Sequence, residues 1–169
     1  ILLMNSVDIN EIKKAFLLFI NVDSLNKKTK LENAFDEFKS LVVSSGLTIH
    51  GSKCLKQTAP VINTFITKGN LENLKNQIIQ SDVEIIIINH ELSASQTRNL
   101  EKFFNKRVID KTELILDIFA TRASSHIGKL QVELAQLKHL STRLIRGWTH
   151  LERQTVSYTH LTLPTTPVV

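Results

Sequence analysis

From Leu116 onward, apolar residues recur at alternating steps of four and three. They are Leu116, Ala120, Ala123, Ile127, Leu130, Leu134, Leu137, Leu144, Trp148 and Leu151, with Ser141 filling the one polar position. This is the period of about 3.5 residues by which a helix packs along its length against another helix. It predicts one continuous helix over 112–151, capped by Thr112 and carrying Glu113 in its first turn. Forty helical residues reach roughly 60 Å, too far for a small body to cover. The pattern demands a partner helix, and no later segment of the chain supplies one.

Where the charge sits narrows the partner. The chain carries +5 overall. From Arg122 to Arg153 there are six basic residues (Arg122, Lys129, Lys138, Arg143, Arg146, Arg153) against Glu133 and Glu152, which is +4 of that total. His126, His139 and His150 lie in the same stretch. With Glu scarce there, the opposite-charge pairing usual on helix faces is mostly missing. The favoured partner classes are nucleic acid, an acidic protein surface or an anionic membrane. Arg143, Arg146, Trp148, His150 and Arg153 gather toward the far end. Arginines around an aromatic suit RNA phosphates and unstacked bases. The bland reading is a solvated basic face flanking a heptad seam.

Upstream of this stretch, strands and helices alternate. Ala15–Val22 is an apolar run of the type buried in a parallel sheet. Residues 28–44 show helical spacing, with Gly46 as C-terminal cap. Leu47–His50 reads as a short strand and 53–63 as a loop. A helix follows from Gly69, then the strand Val83–Asn89, a helix capped by Ser93, and the strand Arg107–Asp110. The order predicts an α/β fold, a small four-stranded parallel sheet flanked by helices with right-handed crossovers, followed by the one long heptad-patterned helix. The expected organisation is an α/β subdomain over 1–110, the long helix over 111–154, and a distinct tail over 155–169. That tail has no Lys, Arg, Asp or Glu and holds two of the three prolines. It reads as disordered or as foreign sequence at a truncated gene end.

Several chemistries are weighed and set aside. The single Cys54 excludes an internal disulfide and fits a reducing cytosol. The longest apolar runs are too short to span a bilayer, and no signal peptide is readable. The chain begins at Ile1, so its start is truncated or Met4 is the true start. Gly46 to Lys53 is a near miss to a phosphate loop, with Ser-Lys where the motif needs Lys-Ser or Lys-Thr. Asp23, His90 and Glu91 fall at carboxyl ends of predicted strands, where ligand sites form and paired carboxylates can act as acid and base. With no nucleophile or metal-ligand cluster nearby, these residues and Asp110 read as strand-end or capping groups. The histidines of the long helix lack the i, i+4 spacing of a helical metal site.

The stretch Asp110-Lys111-Thr112-Glu113-Leu114-Ile115-Leu116-Asp117-Ile118-Phe119-Ala120, with Gly128-Lys129-Leu130-Gln131-Val132-Glu133-Leu134-Ala135-Gln136-Leu137, resembles the hallmark of the HflX family of GTPases. Arg146 to Gln154 (RGWTHLERQ) extends the likeness in its proteobacterial form. Glu91-Leu92-Ser93 and Gln96 to Glu101 resemble the family's ELSPAQQRNLE segment, and Phe65 to Leu74 is a weaker echo of another. The resemblance is diffuse over 15–83 and specific over 90–154.

It implies an N-terminal α/β subdomain, two long antiparallel helices of which this chain holds one, and a GTP-binding domain. It also implies association with the large ribosomal subunit and its rRNA, splitting of stalled ribosomes notably under stress, a cytoplasmic location, and GTP and Mg2+ as ligands of the full-length protein. The glycine-rich loop expected after Gln154 is replaced by 155–169, and the GTP-binding domain is absent. No residue here is assigned to GTP or magnesium, and the chain alone is expected to be catalytically inactive. The residues expected to contact ribosomal RNA are Arg143, Arg146, Trp148, His150 and Arg153, with Lys129 and Lys138 on the backbone. The rivals are a nucleotide-binding α/β domain near Asp23, His90 and Glu91, and an oligomerisation module. The full-length protein is expected to be monomeric, and this chain to self-associate through Leu130, Leu134, Leu137 and Leu144.

Overall fold

A computed structural model of the chain describes residues 13–25 and 31–155, with residue 31 and residues 144–155 described by helical backbone alone. The elements are β1 (Lys14–Val22), α1 (Leu31–Ser44), β2 (Thr48–Gln57), α2 (Lys68–Gln80), β3 (Ile85–Ile88), α3 (Ala94–Phe104), β4 (Arg107–Ile109), α4 (Lys111–Arg122) and α5 (His126–Thr155). The four strands form one parallel sheet in the order β2-β1-β3-β4. The expected α/β architecture is therefore present.

β1 and β3 are central strands, and their uninterrupted apolar runs (AFLLFINV, IIII) are buried throughout. Side-chain alternation along a strand feeds two separate cores. Phe16, Leu18, Ile20, Ile86 and Ile88 face α2 and α3, where they meet Leu74, Ile78, Leu100 and Phe104. Ala15, Leu17, Phe19, Ile85 and Ile87 face the other way and pack with Phe38, Val42, Leu114 and Ile118 of α1 and α4. At about 1.5–3 kcal/mol per buried large side chain, these two layers dominate the favourable side of folding.

Two expectations are corrected. The second strand does not stop at His50. β2 runs on to Gln57 and pairs with β1 to the end of that strand. It is an edge strand, mostly exposed, so its polar composition concealed it. Gly51 sits just past an irregularity in the β1–β2 register. A Cβ there would lie 2.6 Å from the ring of Phe16.

The second correction concerns the long helix. Residues 112–151 do not form one rod. α4 ends at Arg122, and Ala123 N–H closes it on the Phe119 carbonyl. The Ser125 side chain then accepts a hydrogen bond from Gly128 N–H at 3.0 Å, and the chain re-enters helix. Serine favours this position because its hydroxyl satisfies an N–H left orphaned at a helix start. α5 runs back antiparallel along α4: Gln136 reaches Asp117, and Arg143 reaches Glu113 near the start of α4. The partner of the first half of α5 is thus α4, an earlier segment. α4 itself is part of the body, because Leu114 and Ile118 belong to its core. The residues expected to form a separate tail lie, from 156 on, outside the described residues.

Candidate nucleic-acid interface and its anchorage

α5 packs on the body through a narrow face of half-buried residues, Gly128, Val132, Ala135, Gln136, His139 and Arg143. The leucine seam points elsewhere. Ile127, Leu130, Leu134 and Leu137 remain 69%, 51%, 54% and 50% exposed. The heptad pattern therefore marks a second face, distinct from the one that meets α4.

Arg143, expected to contact RNA, is turned inward. Its Nη1 donates to Glu113 Oε2 at 2.8 Å, and its Nη2 lies 3.0 Å from Asp110 Oδ2. Glu113 Oε1 also accepts from Arg107 at 2.8 Å. Asp110 is fully buried. It caps α4 by accepting from Glu113 N–H at 2.8 Å, which replaces Thr112 as the expected cap. It further accepts from Leu92 N–H at 3.2 Å, tying in the segment before α3. One carboxylate thus holds the α4 N-terminus, the β3–α3 connection and α5. The sequence signal was available: an aspartate directly before a helix is a preferred cap. Its long-range cation was not readable from local spacing.

Asp110, Glu113 and His139 each offer a ligand atom, all within 4.8 Å of one another. Arg143 hydrogen-bonds Glu113 and forms an ion pair with Asp110, and with Arg107 it balances their charge. His139 Nε2 lies 3.8 Å from Asp110 Oδ1, at ion-pair but not hydrogen-bond distance. The arrangement is an anchor and does not need a cation.

Lys129 and Lys138 are exposed on α5. Nine residues are about two and a half turns of helix, so the two project from opposite sides. Arg146, Trp148, His150 and Arg153 sit on the helical backbone beyond the anchor, and their side chains lie outside the described residues.

The carboxyl edge of the sheet, the rival site, is filled by the protein itself. Asn89 Oδ1 accepts from Ile20 N–H at 2.7 Å, and its amide donates to the Ile20 carbonyl at 3.2 Å. His90 Nε2 donates to the same carbonyl at 2.6 Å, and Phe65 stacks on its ring at 4.9 Å. Burial holds His90 below its ordinary pKa, helped by the charge of Lys111 and opposed by the Ile20 hydrogen bond. Asp23 and Glu91 are exposed. Gly51 to Lys53 are strand residues paired with Phe16 to Leu18, so the near-miss phosphate loop is no loop. At this edge the described residues leave no open site for the GTP and Mg2+ that the resemblance implied for the full-length protein.

The family model described as "GTP-binding GTPase N-terminal" matches residues 32–120, and the one described as "GTP-binding GTPase Middle Region" matches 122–162. The chain belongs to the HflX family. The two matches meet in the last turn of α4, and the second extends past Gln154. The chain is 50% identical to the GTPase HflX of Escherichia coli over 122 residues, covering 70% of this chain and 28% of that protein. It is 42% identical over 123 residues to the GTPase HflX of Magnetococcus marinus, covering 73% of this chain and 28% of the relative. It thus spans under a third of the length of these HflX relatives. The fold matches a crystal structure of a GTP-binding protein from the archaeon Sulfolobus solfataricus in complex with GDP. The TM-score is 0.60 at 24% identity, over 85% of this chain and 43% of that one.

Proposed function

We propose that this chain is the ribosome-binding portion of a longer HflX-type GTPase, cytoplasmic, acting on the large subunit and its RNA to release stalled ribosomes. The observation that supports this best is the basic, glutamate-poor α5. Its last turns continue beyond the Arg143 anchor and carry Arg146, Trp148, His150 and Arg153. A helix that continues past its anchor can offer its far end to a partner, and this composition suits RNA. GTP and Mg2+ would be bound by the remainder of the longer protein, which also carries the hydrolysis. Among the described residues no helix is long and apolar enough to cross a membrane.

The test is co-sedimentation of the full-length protein with large ribosomal subunits over a salt series. Binding is expected to weaken steeply with salt, and charge reversal at Arg146 and Arg153 together is expected to weaken it further. Unchanged co-sedimentation of the double variant would overturn the assignment.

A further inference from the structure

α5 is joined to the body by a short turn and one face. The connection at Ala123–Ser125 is non-helical, closed by one backbone bond on each side: Ala123 N–H to Phe119 and Lys129 N–H to Ser125. Between that turn and the anchor, none of the described α5 side chains is fully buried. Its contact face is made of small and polar residues, while its leucines face solvent. Little apolar area therefore glues it down, and Gln136 to Asp117 at 3.4 Å is a long hydrogen bond.

The packing against α3 is also incomplete. A solvent-open cleft of about 150 Å3 lies there, lined by Ala94, Thr97, Arg98, Glu101 and Arg143. Thr97 Oγ1, His139 Nε2, Arg143 Nε and Arg143 Nη2 are buried without a hydrogen-bond partner, Nη2 meeting Asp110 as an ion pair alone. Buried polar atoms left unpaired disfavour the state that buries them. Against these weak terms stands one strong contact, the Arg143 guanidinium between two carboxylates at 3.0 and 2.8 Å.

We propose that α5 is a hinged arm, pivoting at Ala123–Ser125 and held against the body chiefly by the Arg143 lock on Asp110 and Glu113. Arg143 is thus a positioning residue that sets the arm's direction, whatever surface the arm meets. Opening transfers the guanidinium and both carboxylates to water and costs little apolar burial. The body keeps its two cores, because neither contains a described residue of α5.

The lock is tested on the full-length protein with spin labels on the exposed native Cys54 of β2 and on Ser141→Cys of α5, read as a distance distribution. Any other exposed cysteines of the longer protein are first replaced. The otherwise unaltered protein is expected to give one narrow distance. Arg143→Met is expected to broaden it, and to speed amide exchange over 130–142 by roughly two to three and a half orders of magnitude, the factor implied by removing one partner of a buried pair. β1 and β3 amides should keep their protection. Arg143→Lys retains the charge and should fall between. The idea is overturned if the methionine variant keeps the narrow distance, if the lysine variant is as open as the methionine one, or if α5 and the sheet lose protection together. Without any substitution, α5 amides should exchange through an opening far easier than that of β1 and β3. Equal protection of the two would also overturn it.

Discussion

Arg143 and Asp110 lie thirty-three positions apart in sequence and 3.0 Å apart in space. The pair joins the end of the α/β body to a helix that otherwise touches it lightly. Asp110 serves three elements at once, so its removal should cost more than that of Glu113, whose side chain is part-exposed. Asp110→Ala leaves the Leu92 and Glu113 N–H groups unsatisfied. A lost cap is worth about 1 kcal/mol and an orphaned buried donor about 1–3, so a loss of about 2–4 kcal/mol is expected. The urea unfolding midpoint is the measurement, and a loss smaller than that of Glu113→Ala would contradict the three-way role.

How much of this was legible depends on which interactions are local. β1 and β3 announce themselves, because a strand buried on both faces must be apolar at every position. Ser93 announces α3, and its capping box with Gln96 forms as its type predicts. β2 did not show, because an edge strand's Thr48, Ser52, Lys53 and Lys56 face solvent and read as loop. The heptads persisted across Ala123 because small residues there satisfy the pattern in a helix or a turn alike. The Ser124-Ser125 pair was the available signal for a new N-terminus. The basic neighbours of Arg143 in sequence point to nucleic acid, whereas its ion pairs within the fold are with Asp110 and Glu113. Its two carboxylates come from the first turn of α4 and from its cap, and only the reversal of the chain brings them near.

Asp117 carries a pH signature. Burial raises its pKa, and the carboxylate of Glu113 adds to the effect. A carboxyl whose pKa is raised by folding makes the folded state bind more protons, so it costs stability as pH rises through and above that window. Asp117→Asn retains an acceptor for Gln136 and removes the buried charge. It should melt higher than the original chain near neutral pH, and the two curves should converge as pH falls to about 4. A variant that melts lower at neutral pH would show that the charge is favourable where it stands.

His90 behaves oppositely. Its pKa is lowered in the fold, chiefly by burial, so the folded state binds fewer protons than the unfolded chain. The neutral ring's contribution is present above the unfolded value of about 6.5 and is lost as pH falls through the window below it. His90→Gln, with an amide donor for the Ile20 carbonyl and nothing to protonate, should lose less stability between about pH 7.5 and 5.5. Thermal melts at the two values give the comparison, and equal losses would remove His90 as the cause.

Gly51 is required by contact. A methyl group there meets Phe16 Cε2 at 2.6 Å and Cδ2 at 2.7 Å. Phe16 is 6% exposed and packed in the core beneath α2 and α3, so the ring has little room to yield. Gly51→Ala is expected to cost about 1–3 kcal/mol, the usual range for overpacking. Gly69→Ala, where nothing lies within 4 Å, is the control and should be close to neutral or stabilising.

The opposite placement of Lys129 and Lys138 on α5 separates two modes of RNA contact. A lysine seated on a phosphate adds about one unit to the slope of log affinity against log salt. A single RNA surface meeting the arm from one side can engage only one of the two. Lys138 stands nearer the basic far end of the helix, and Lys129 stands beside the hinge turn. Lys138→Gln should therefore lower the slope by about one unit in ribosome binding by the full-length protein, and Lys129→Gln should leave it unchanged. A loss from both would mean that RNA wraps the arm. A loss from Lys129 alone would place the contact at the turn and away from Arg146, Trp148, His150 and Arg153. Measuring both slopes thus tests the orientation of the arm on its partner, which a bare affinity would not resolve.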